Sequence, residues 1–450
     1  IDTTIGEHIW SERFDRSFKD IFAVQDEIVQ KIVTTLKLQL TLQEQGWIMR
    51  KRTDNLEAYD YVLRGVDYFW RSTKESFTQA RQMYEKALAL DPQYAEAYAW
   101  LGITYYREWI WRWSTDPQTL ERALTLAQQA MVLDDSLPVA QSLLSLVYAR
   151  KQQYDQAIAE GERAIALDPN NADSYAWQAE ALNVAGRSER ALKMVEQAMR
   201  LNPRYPFYYL TQLGVAYHLT GRYAEAITTM REAVRRSPAH SGALFYLVLS
   251  YVSQWAFQQS PDSQTLEAAV VVAQRAIGLN EASPWGHAVL GYVYLWQKQY
   301  EQASAEMERA LVLDPNLALS HALLAETWSR MNRREEALRE VEQSLHCTPR
   351  VADEHFSSVG VAYALTGQSE EAIVPLRQYL THYANHLGTH LTLAAVYSDL
   401  GKEAEAQAEA AEVLRLNPKF SLEVHKERVP IKDPAMLERH IAALRKAGLK

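Results

Sequence analysis

Three histidines, His382, His386 and His390, are spaced four residues apart. On one continuous helix this spacing would align their imidazole groups for a metal ion. The apolar pattern, however, ends one helix near His382 and begins the next before His390, so that His386 falls in the turn between them. The sequence therefore favours surface or packing histidines, with a zinc site as the less favoured alternative, and predicts no metal site.

No other group of residues has the spacing of a catalytic site. The nucleotide-binding patterns GxxxxGK(S/T) and GxGxxG, the metalloprotease pattern HExxH and the hydrolase pattern GxSxG are absent from the sequence. Cys347 adjoins His346, but neighbouring side chains at a helix end point apart and do not form a nucleophile–base pair. Glu335, Glu336 and Glu340 have the spacing of a solvated helix face. The sequence thus predicts no catalytic residue, no cofactor and no enzyme activity in this chain.

Length and composition fit a globular chain without a membrane segment. Of 450 residues, 48% are hydrophobic and 23% are charged, and no run of 18 apolar residues occurs. The formal net charge of −9 has the wrong sign for a nucleic-acid-binding surface. The single cysteine excludes an intramolecular disulfide, which leads us to expect a cytoplasmic protein. The first residue is Ile1 rather than methionine, which indicates a piece of a longer protein.

The segments that carry these residues repeat along the chain. Six strings end in proline: ALALDP (87–92), AIALDP (164–169), AMRLNP (198–203), AVRRSP (233–238), ALVLDP (310–315) and VLRLNP (413–418). They recur every 34 or 35 residues, or at multiples of that spacing plus a constant insert. A glycine, a tyrosine and two alanines precede the proline at fixed distances, as in Gly214, Tyr217, Ala226, Ala233 and Pro238.

This pattern resembles the tetratricopeptide repeat, a helix–turn–helix unit of 34 residues. The resemblance implies an all-α fold, a right-handed superhelix (an α-solenoid) of about ten repeats. Each repeat shows two stretches with helical apolar periodicity, and the proline ends the second of them. Because one such hairpin cannot bury its own apolar face, the repeats must stack on each other.

Ten repeats fit between residues 55 and 420. We place them at 55–94, 95–137, 138–171, 172–206, 207–240, 241–283, 284–317, 318–352, 353–386 and 387–420. Repeats 2–5 resemble repeats 6–9 at a constant offset of 146 residues, and repeats 2 and 6 share a nine-residue insert near 109–116 and 255–262. We infer that a block of four repeats was duplicated. Convergence on one consensus is the alternative.

Both ends of the chain differ from the repeats. The segments EHIWSERFDR (7–16) and DIFAVQDEIV (20–29) are similar to the closing strand and helix of the TolB-like α/β domain. In bacteria that domain lies between a class III adenylate/guanylate cyclase domain, or a winged-helix DNA-binding domain, and a tetratricopeptide array. The resemblance implies that residues 1–45 are a short α/β remnant of a truncated TolB-like domain. Residues 46–54 are expected to be a linker and residues 421–450 a C-terminal capping helix.

The resemblance also implies which residues face a ligand, because fixed positions of each first helix line the concave surface. These positions hold mostly aromatic residues with isolated charges, namely Trp100, Tyr106, Arg107, Trp177, Glu180, Asn183, Tyr208, Phe245, Tyr246, Trp285, Tyr292, Trp296 and Glu326. We predict that they form a partner-binding groove, with packing between repeats as the alternative for about half of them. The Lys and Asn that grip C-terminal carboxylates of chaperone tails are absent, so the groove suits an apolar helix or an extended peptide.

The insert of repeat 2 adds three alternating tryptophans, Trp109, Trp111 and Trp113. Packing against a neighbouring helix is the favoured interpretation, and an aromatic edge that contacts a partner or a second subunit is the alternative.

The sequence leads to an interaction module without catalytic residues. We expect a scaffold or a regulatory, sensory module of a multidomain bacterial signalling protein, with a class III nucleotide cyclase as the first choice for the full-length protein. A regulatory domain of a winged-helix transcriptional activator and an enzyme subunit are the alternatives. The expected partner is a protein or peptide, with no nucleic acid and no membrane, and a homo-oligomer is an open possibility.

Overall fold

A computed structural model describes nearly all of the repeat region. The described residues are 27, 28, 31 and 53–450, with gaps at 112, 115, 117, 263, 280–282 and 348–354. The predicted α/β remnant at residues 1–45 therefore lies outside the described residues, apart from three helical positions.

Within residues 53–450 the described part of the chain forms 22 helices and no strand, which confirms the all-α prediction. The helices of the first five pairs are α1 Leu56–Trp70, α2 Lys74–Leu90, α3 Ala95–Ile110, α4 Thr119–Leu133, α5 Pro138–Arg150, α6 Tyr154–Leu167, α7 Ala172–Val184, α8 Ser188–Leu201, α9 Phe207–Leu219 and α10 Tyr223–Arg236. The next five pairs are α11 Ser241–Ala256, α12 Gln264–Leu279, α13 Pro284–Trp296, α14 Tyr300–Leu313, α15 Ala318–Arg330, α16 Arg334–His346, α17 Phe356–Leu365, α18 Ser369–His382, α19 Leu387–Asp399 and α20 Glu403–Leu416. Two further helices, α21 Leu422–Arg428 and α22 Pro434–Lys446, end the chain.

The Asp-Pro and Asn-Pro dipeptides end the second helix of a pair by a local hydrogen bond. The carboxylates of Asp91 and Asp168 accept from the backbone N–H two residues later, at 3.0 and 3.1 Å. Asp314 makes the same contact at 3.1 Å. An acidic or amide side chain that bonds in this way favours a turn, and the proline that follows it cannot continue the helix.

The two helices of a pair are buried to different degrees. In α5 all but three of its thirteen residues are buried, whereas in α6 only Ala157, Gly161 and Ala164 are. The first helices therefore form the inner layer and the second helices the outer layer. Small residues let the layers approach closely: a Cβ atom on Gly214 would lie 2.8 Å from Met230 Cε.

The array coils so tightly that helix pairs four repeats apart touch each other. The Trp111 ring, in the loop after α3, lies 5.2 Å from the His240 ring, which caps α11. The Phe257 ring, in the matching loop after α11, lies 5.2 Å from the His386 ring, which caps α19. The second contact repeats the first at an offset of 146 residues. One block of four repeats therefore makes one turn of the superhelix.

Helices α21 and α22 close the second turn. The Arg428 guanidinium donates to the backbone carbonyls of Trp255 and Ser260 at 2.7 and 2.9 Å and covers the indole ring of Trp255. The Lys298 ammonium donates to the Glu427 carbonyl at 2.7 Å. The C-terminal segment therefore packs across the loops of earlier repeats as well as following α20.

Candidate functional site

The structure divides the thirteen predicted groove residues between the two turns of the superhelix. Seven of them belong to the first turn and are all buried: Trp100, Tyr106, Arg107, Trp177, Glu180, Asn183 and Tyr208. These seven residues are at most 7% exposed, so that in this conformation they contact one another and offer almost no surface to a partner.

Glu180 is the centre of the filled first turn. Its carboxylate accepts hydrogen bonds from Arg107 at 2.8 Å and from Arg150 at 3.2 Å. The hydroxyl groups of Tyr106 and Tyr208 donate to the same carboxylate at 2.6 and 2.5 Å. A buried charge is tolerated only when it is paired and hydrogen-bonded in this way.

The electrostatics of this cluster keep Glu180 ionised. Burial alone would raise the pKa of Glu180, but the two guanidinium groups and the two tyrosine hydroxyls outweigh it and lower the pKa to about 2. Burial also raises the pKa of Tyr106 well above its ordinary range. Both groups are therefore fixed in one protonation state at neutral pH, which suits a structural role.

Aromatic rings fill the rest of the first turn. Trp100 packs edge-on against Phe69 at 5.4 Å and against Trp177 at 5.8 Å, and it stacks on Tyr84 at 6.4 Å. The amide group of Asn183 donates to the Gln212 carbonyl at 3.2 Å. The aromatic contacts belong to the hydrophobic core of the first five repeats.

The second turn is different, because it encloses a cavity of about 1010 Å³. We call it the second-turn chamber; its wall is formed by the first helices α9, α11, α13, α15, α17 and α19 together with α18, α21 and α22. Five predicted groove residues line it: Phe245, Tyr246, Tyr292, Trp296 and Glu326. The remaining one, Trp285, packs edge-on against Phe245 at 4.8 Å and borders a smaller cavity of about 120 Å³.

One buried ion pair lies on the wall of the second-turn chamber. The Arg330 guanidinium donates from two nitrogens to one carboxylate oxygen of Glu326, at 3.0 and 2.7 Å, and also lies over the Trp296 ring. The exposed fractions of the Glu326 and Arg330 side chains are only 5% and 7%. The Glu180 carboxylate thus has two arginines and two tyrosines around it, whereas the Glu326 carboxylate is bonded here to one arginine.

Several residues at the 146-residue offset differ in size between the two turns. At the offset of 146 residues, Tyr106 corresponds to Val252, Arg107 to Ser253 and Trp177 to Leu323. In each case the second turn has the smaller side chain. Glu180 corresponds to Glu326, whereas Arg150, one of the two arginines bonded to Glu180, corresponds to Trp296.

The C-terminal segment contributes wall residues that sequence reasoning missed. His425 and His440 line the second-turn chamber with their Nε2 atoms 3.1 Å apart. Arg439 and Lys446 line it from exposed positions on α22. The repeat pattern carries no signal for these residues, because it stops at residue 420 and the sequence predicts only a capping helix after it.

The three spaced histidines make unrelated contacts. His390 lies 2.6 Å from the Glu409 carboxylate and 3.0 Å from the Ala384 carbonyl, while His386 caps α19. His382 packs against Tyr154 at 4.9 Å. Across the described ranges, no group of three or more His, Cys, Asp or Glu residues could hold a metal ion.

The inserted loop of repeat 2 packs inwards. Trp109 is 9% exposed, and Trp113 packs edge-on against Phe77 at 5.4 Å. Trp111 makes the contact with His240 described above.

As for the helices, none in the described part of the chain is both long and apolar enough to cross a membrane.

Comparison with known families identifies the repeats. The family described as "TPR repeat" matches residues 74–108, and the family described as "Tetratricopeptide repeat" matches residues 287–317 and 387–420. A third family, "Anaphase-promoting complex, cyclosome, subunit 3", matches residues 150–233. The matches lie at both ends and in the middle of the array.

Among curated proteins, the chain is 37% identical over 158 residues to "Putative adenylate cyclase 3" of Rhizobium meliloti (strain 1021). The match covers 35% of this chain and 27% of that protein, so the chain spans about a quarter of its relative's length.

Among solved structures, a monomeric mutant of IFIT1 with m7Gppp-AAAA has a TM-score of 0.50 and 14% sequence identity, and the match covers 88% of each chain. A thermophilic TPR protein of Thermus thermophilus has a TM-score of 0.38 and 24% identity, with 43% of this chain and 98% of that chain covered. At these identities the likeness concerns the fold alone.

Proposed function

Since this chain carries an array of tetratricopeptide repeats, we propose that it is the interaction module of a multidomain bacterial signalling protein. In this proposal it regulates the protein by holding a peptide or protein partner on its concave surface. Two findings support the proposal. The repeats build an all-α scaffold, and the match covers only 27% of the adenylate cyclase relative, so that most of that protein lies outside the match. A nucleotide cyclase is accordingly our proposal for the full-length protein.

The observation that carries the proposal is the contrast between the two turns. The groove residues of the first turn are buried and border a cavity of only about 120 Å³, whereas the second turn keeps a cavity of about 1010 Å³ lined by rings such as Phe245 and Tyr292. Ligand sites of proteins are cavities of this size range, with mostly apolar walls and a few polar groups. We therefore place the partner-binding site in the second-turn chamber, into which a peptide can insert one end.

Peptide selection followed by photo-crosslinking tests this proposal. Random peptides displayed on phage are selected on the full chain, and the selected peptides are then mixed with two variants that carry p-benzoylphenylalanine. One variant has the crosslinker in place of Phe245 in the chamber, and the control has it in place of Val312, which is 81% exposed on the outer layer. We expect crosslinks at position 245 and none at position 312.

The proposal fails if no peptide is selected above background or if the selected peptides crosslink only at position 312. Thermal unfolding of both variants, compared with the unmodified chain, establishes that the crosslinker leaves the fold intact.

A further inference from the structure

The geometry points to the second-turn chamber as the binding site of a small organic anion with an aromatic or apolar body. This inference rests on the proposed function in one respect, since it takes the second turn as the binding site of the module. It goes further by assigning the chemistry of the ligand.

The space for a ligand arises from specific replacements. Where the first turn has Tyr106, Arg107 and Trp177, the second turn has Val252, Ser253 and Leu323. Protein interiors are normally packed with few voids larger than a water molecule. The first turn, with the same succession of helix pairs, borders a cavity of about 120 Å³, so the helix geometry alone does not require a space of about 1010 Å³. We infer that these three replacements enlarge it.

The walls of the chamber suit an aromatic or apolar body. Seven aromatic residues line it: Phe245, Tyr246, Phe257, Tyr292, Trp296, Tyr379 and Tyr383. Aliphatic residues such as Leu323, Val289 and Leu391 also belong to the wall. Rings offer flat surfaces on which a planar ligand can stack.

The charges on the wall favour an anion. Of the described residues that line the chamber, four are cationic and two are carboxylates: Arg330, Arg334, Arg439 and Lys446 against Glu326 and Asp399. Arg330 is paired with Glu326, and Lys446 with Glu403 outside the wall, so the excess of positive charge rests on Arg334 and Arg439. It stands out in a chain whose formal net charge is −9. Charge concentrated in a cleft with low-dielectric walls raises the local concentration of ligands of opposite sign.

The basic residues lie at two depths. Arg334 and Arg439 are exposed wall residues. Burial raises the pKa of Asp399, and the charges of Arg439 and Lys446 offset part of this effect. Arg330 is buried in the wall, close enough to His425 and His440 for its positive charge to lower the pKa of both. Burial is the main cause that lowers the pKa of His440 to about 4, and Arg330 lowers it further. His440 is therefore neutral at pH 7 and supplies a hydrogen-bonding group rather than charge.

The shape of the chamber favours a compact ligand over a chain that runs through it. On one side the chamber adjoins the filled first turn, and it shares Leu219, Phe245 and Tyr246 with the small cavity there. On another side it is covered by α21 and α22, which together with the segment between them contribute residues such as Val429 and Met436 to its wall. We place the opening near Arg334, an exposed wall residue, so that a molecule enters there and ends inside.

Two fluorescent probes of the same shape test the inference. The anionic probe is 1-anilinonaphthalene-8-sulfonate, and the neutral probe is N-phenyl-1-naphthylamine, which lacks the sulfonate. Both are titrated into the full chain and into three variants. Leu323→Trp introduces into the chamber the residue that the first turn has at the matching position, Trp177. Arg334→Gln combined with Arg439→Gln removes two exposed charges from the chamber wall. Arg309→Gln is the control, because it removes an exposed charge from α14, outside the chamber.

We expect one anionic probe per chain and tighter binding of the anionic than of the neutral probe. The charge variant should weaken the binding of the anionic probe about fivefold, since each exposed charge contributes little, and should leave the neutral probe unchanged. Leu323→Trp should weaken the binding of both probes, and Arg309→Gln that of neither. Thermal unfolding of each variant checks the fold. The charge variant alters exposed residues only, so it tests the role of charge even if Leu323→Trp does not fold.

The inference is wrong if the charge variant binds the anionic probe as tightly as the unmodified chain does, or if a folded Leu323→Trp variant binds both probes unchanged. These results are distinct from a failure of the proposed function. Peptides that crosslink at position 245, together with no charge-dependent probe binding, would retain the peptide site and reject the anion.

Discussion

At the scale of single residues, Glu180 and Glu326 show two uses of one buried carboxylate. They are 146 positions apart, at matching positions of repeats 4 and 8, and both are buried. Glu180 has two arginines and two tyrosines as partners, whereas Glu326 has Arg330 alone among the hydrogen bonds described above. The same carboxylate thus completes a packed core in the first turn and forms part of a cavity wall in the second.

The first residue-scale prediction concerns Glu180→Gln. The substitution leaves Arg107 and Arg150 buried without a counter-charge, and breaking a buried ion pair in this way costs about 3–5 kcal/mol of unfolding free energy. The measurement is urea unfolding at pH 7. Glu232→Gln serves as the control, because the Glu232 carboxylate is also paired with two arginines but lies in solvent, and its loss should change stability far less.

Because of Glu180, we also expect the unfolding free energy to depend on pH. The pKa of Glu180 is lowered from 4.5 to about 2 in the folded chain, so the unfolded chain takes up a proton first as the pH falls. The stabilisation from Glu180 is complete above pH 4.5 and is lost between pH 4.5 and about 2. Unfolding measured across this window should show a smaller loss of stability for Glu180→Gln than for the unmodified chain; equal slopes would contradict the assignment.

At the scale of elements, the two long loops hold neighbouring turns together. The loop after α3 places Trp111 against the start of α11, where Gly242 leaves room for the ring: a Cβ atom there would lie 2.3 Å from Trp111 Cη2. The loop after α11 places Phe257 against Gly388 in the same way, at 2.9 Å. An aromatic ring and a glycine therefore form a matched pair in each block.

Gly242→Ala is expected to destabilise the chain by about 1–3 kcal/mol, the usual cost of overpacking. Gly278→Ala is the matched control: among the described residues, no atom outside its own stretch of helix lies within 4 Å of the added methyl group. Alanine is also the better helix former, so the substitution should stabilise by up to about 1 kcal/mol. Chemical denaturation of both variants gives the two values. In a Trp111→Ala background the penalty of Gly242→Ala should disappear, and a penalty that persists would contradict the contact.

At the scale of the whole molecule, the helix pairs could be predicted from the sequence. Whether the concave surface of each turn is packed with side chains or leaves a cavity could not be predicted. Within a pair the contacts are local, and the spacing of residues such as Gly214 and Pro238 reflects them directly. The filled first turn depends instead on Tyr106 and Glu180, which are 74 positions apart and meet only after the superhelix forms. His440 could not be assigned to the chamber for a related reason, because it lies beyond the last repeat and reaches the wall only through the packing of α22.

A deletion of residues 421–450 tests how far the C-terminal segment supports the second turn. It removes the bonds from Arg428 and Lys432 to earlier repeats as well as buried residues such as Leu444. We expect the melting temperature to fall by roughly 5 °C or more. Hydrogen exchange should become faster in α19 and α20 and stay unchanged in α3 and α4, because repeats interact mainly with their neighbours. Unchanged protection in both regions would show that the segment is dispensable.

The spacing of the aromatic–glycine pairs also restricts how such an array can change in length during evolution. Loss or gain of a single repeat between Trp111 and Gly242 would bring the ring against a different helix start and separate it from the gap that Gly242 provides. Gain or loss of four repeats together would restore the fit, as the pair formed by Phe257 and Gly388 shows. Viable descendants of this chain should therefore differ from it by whole turns.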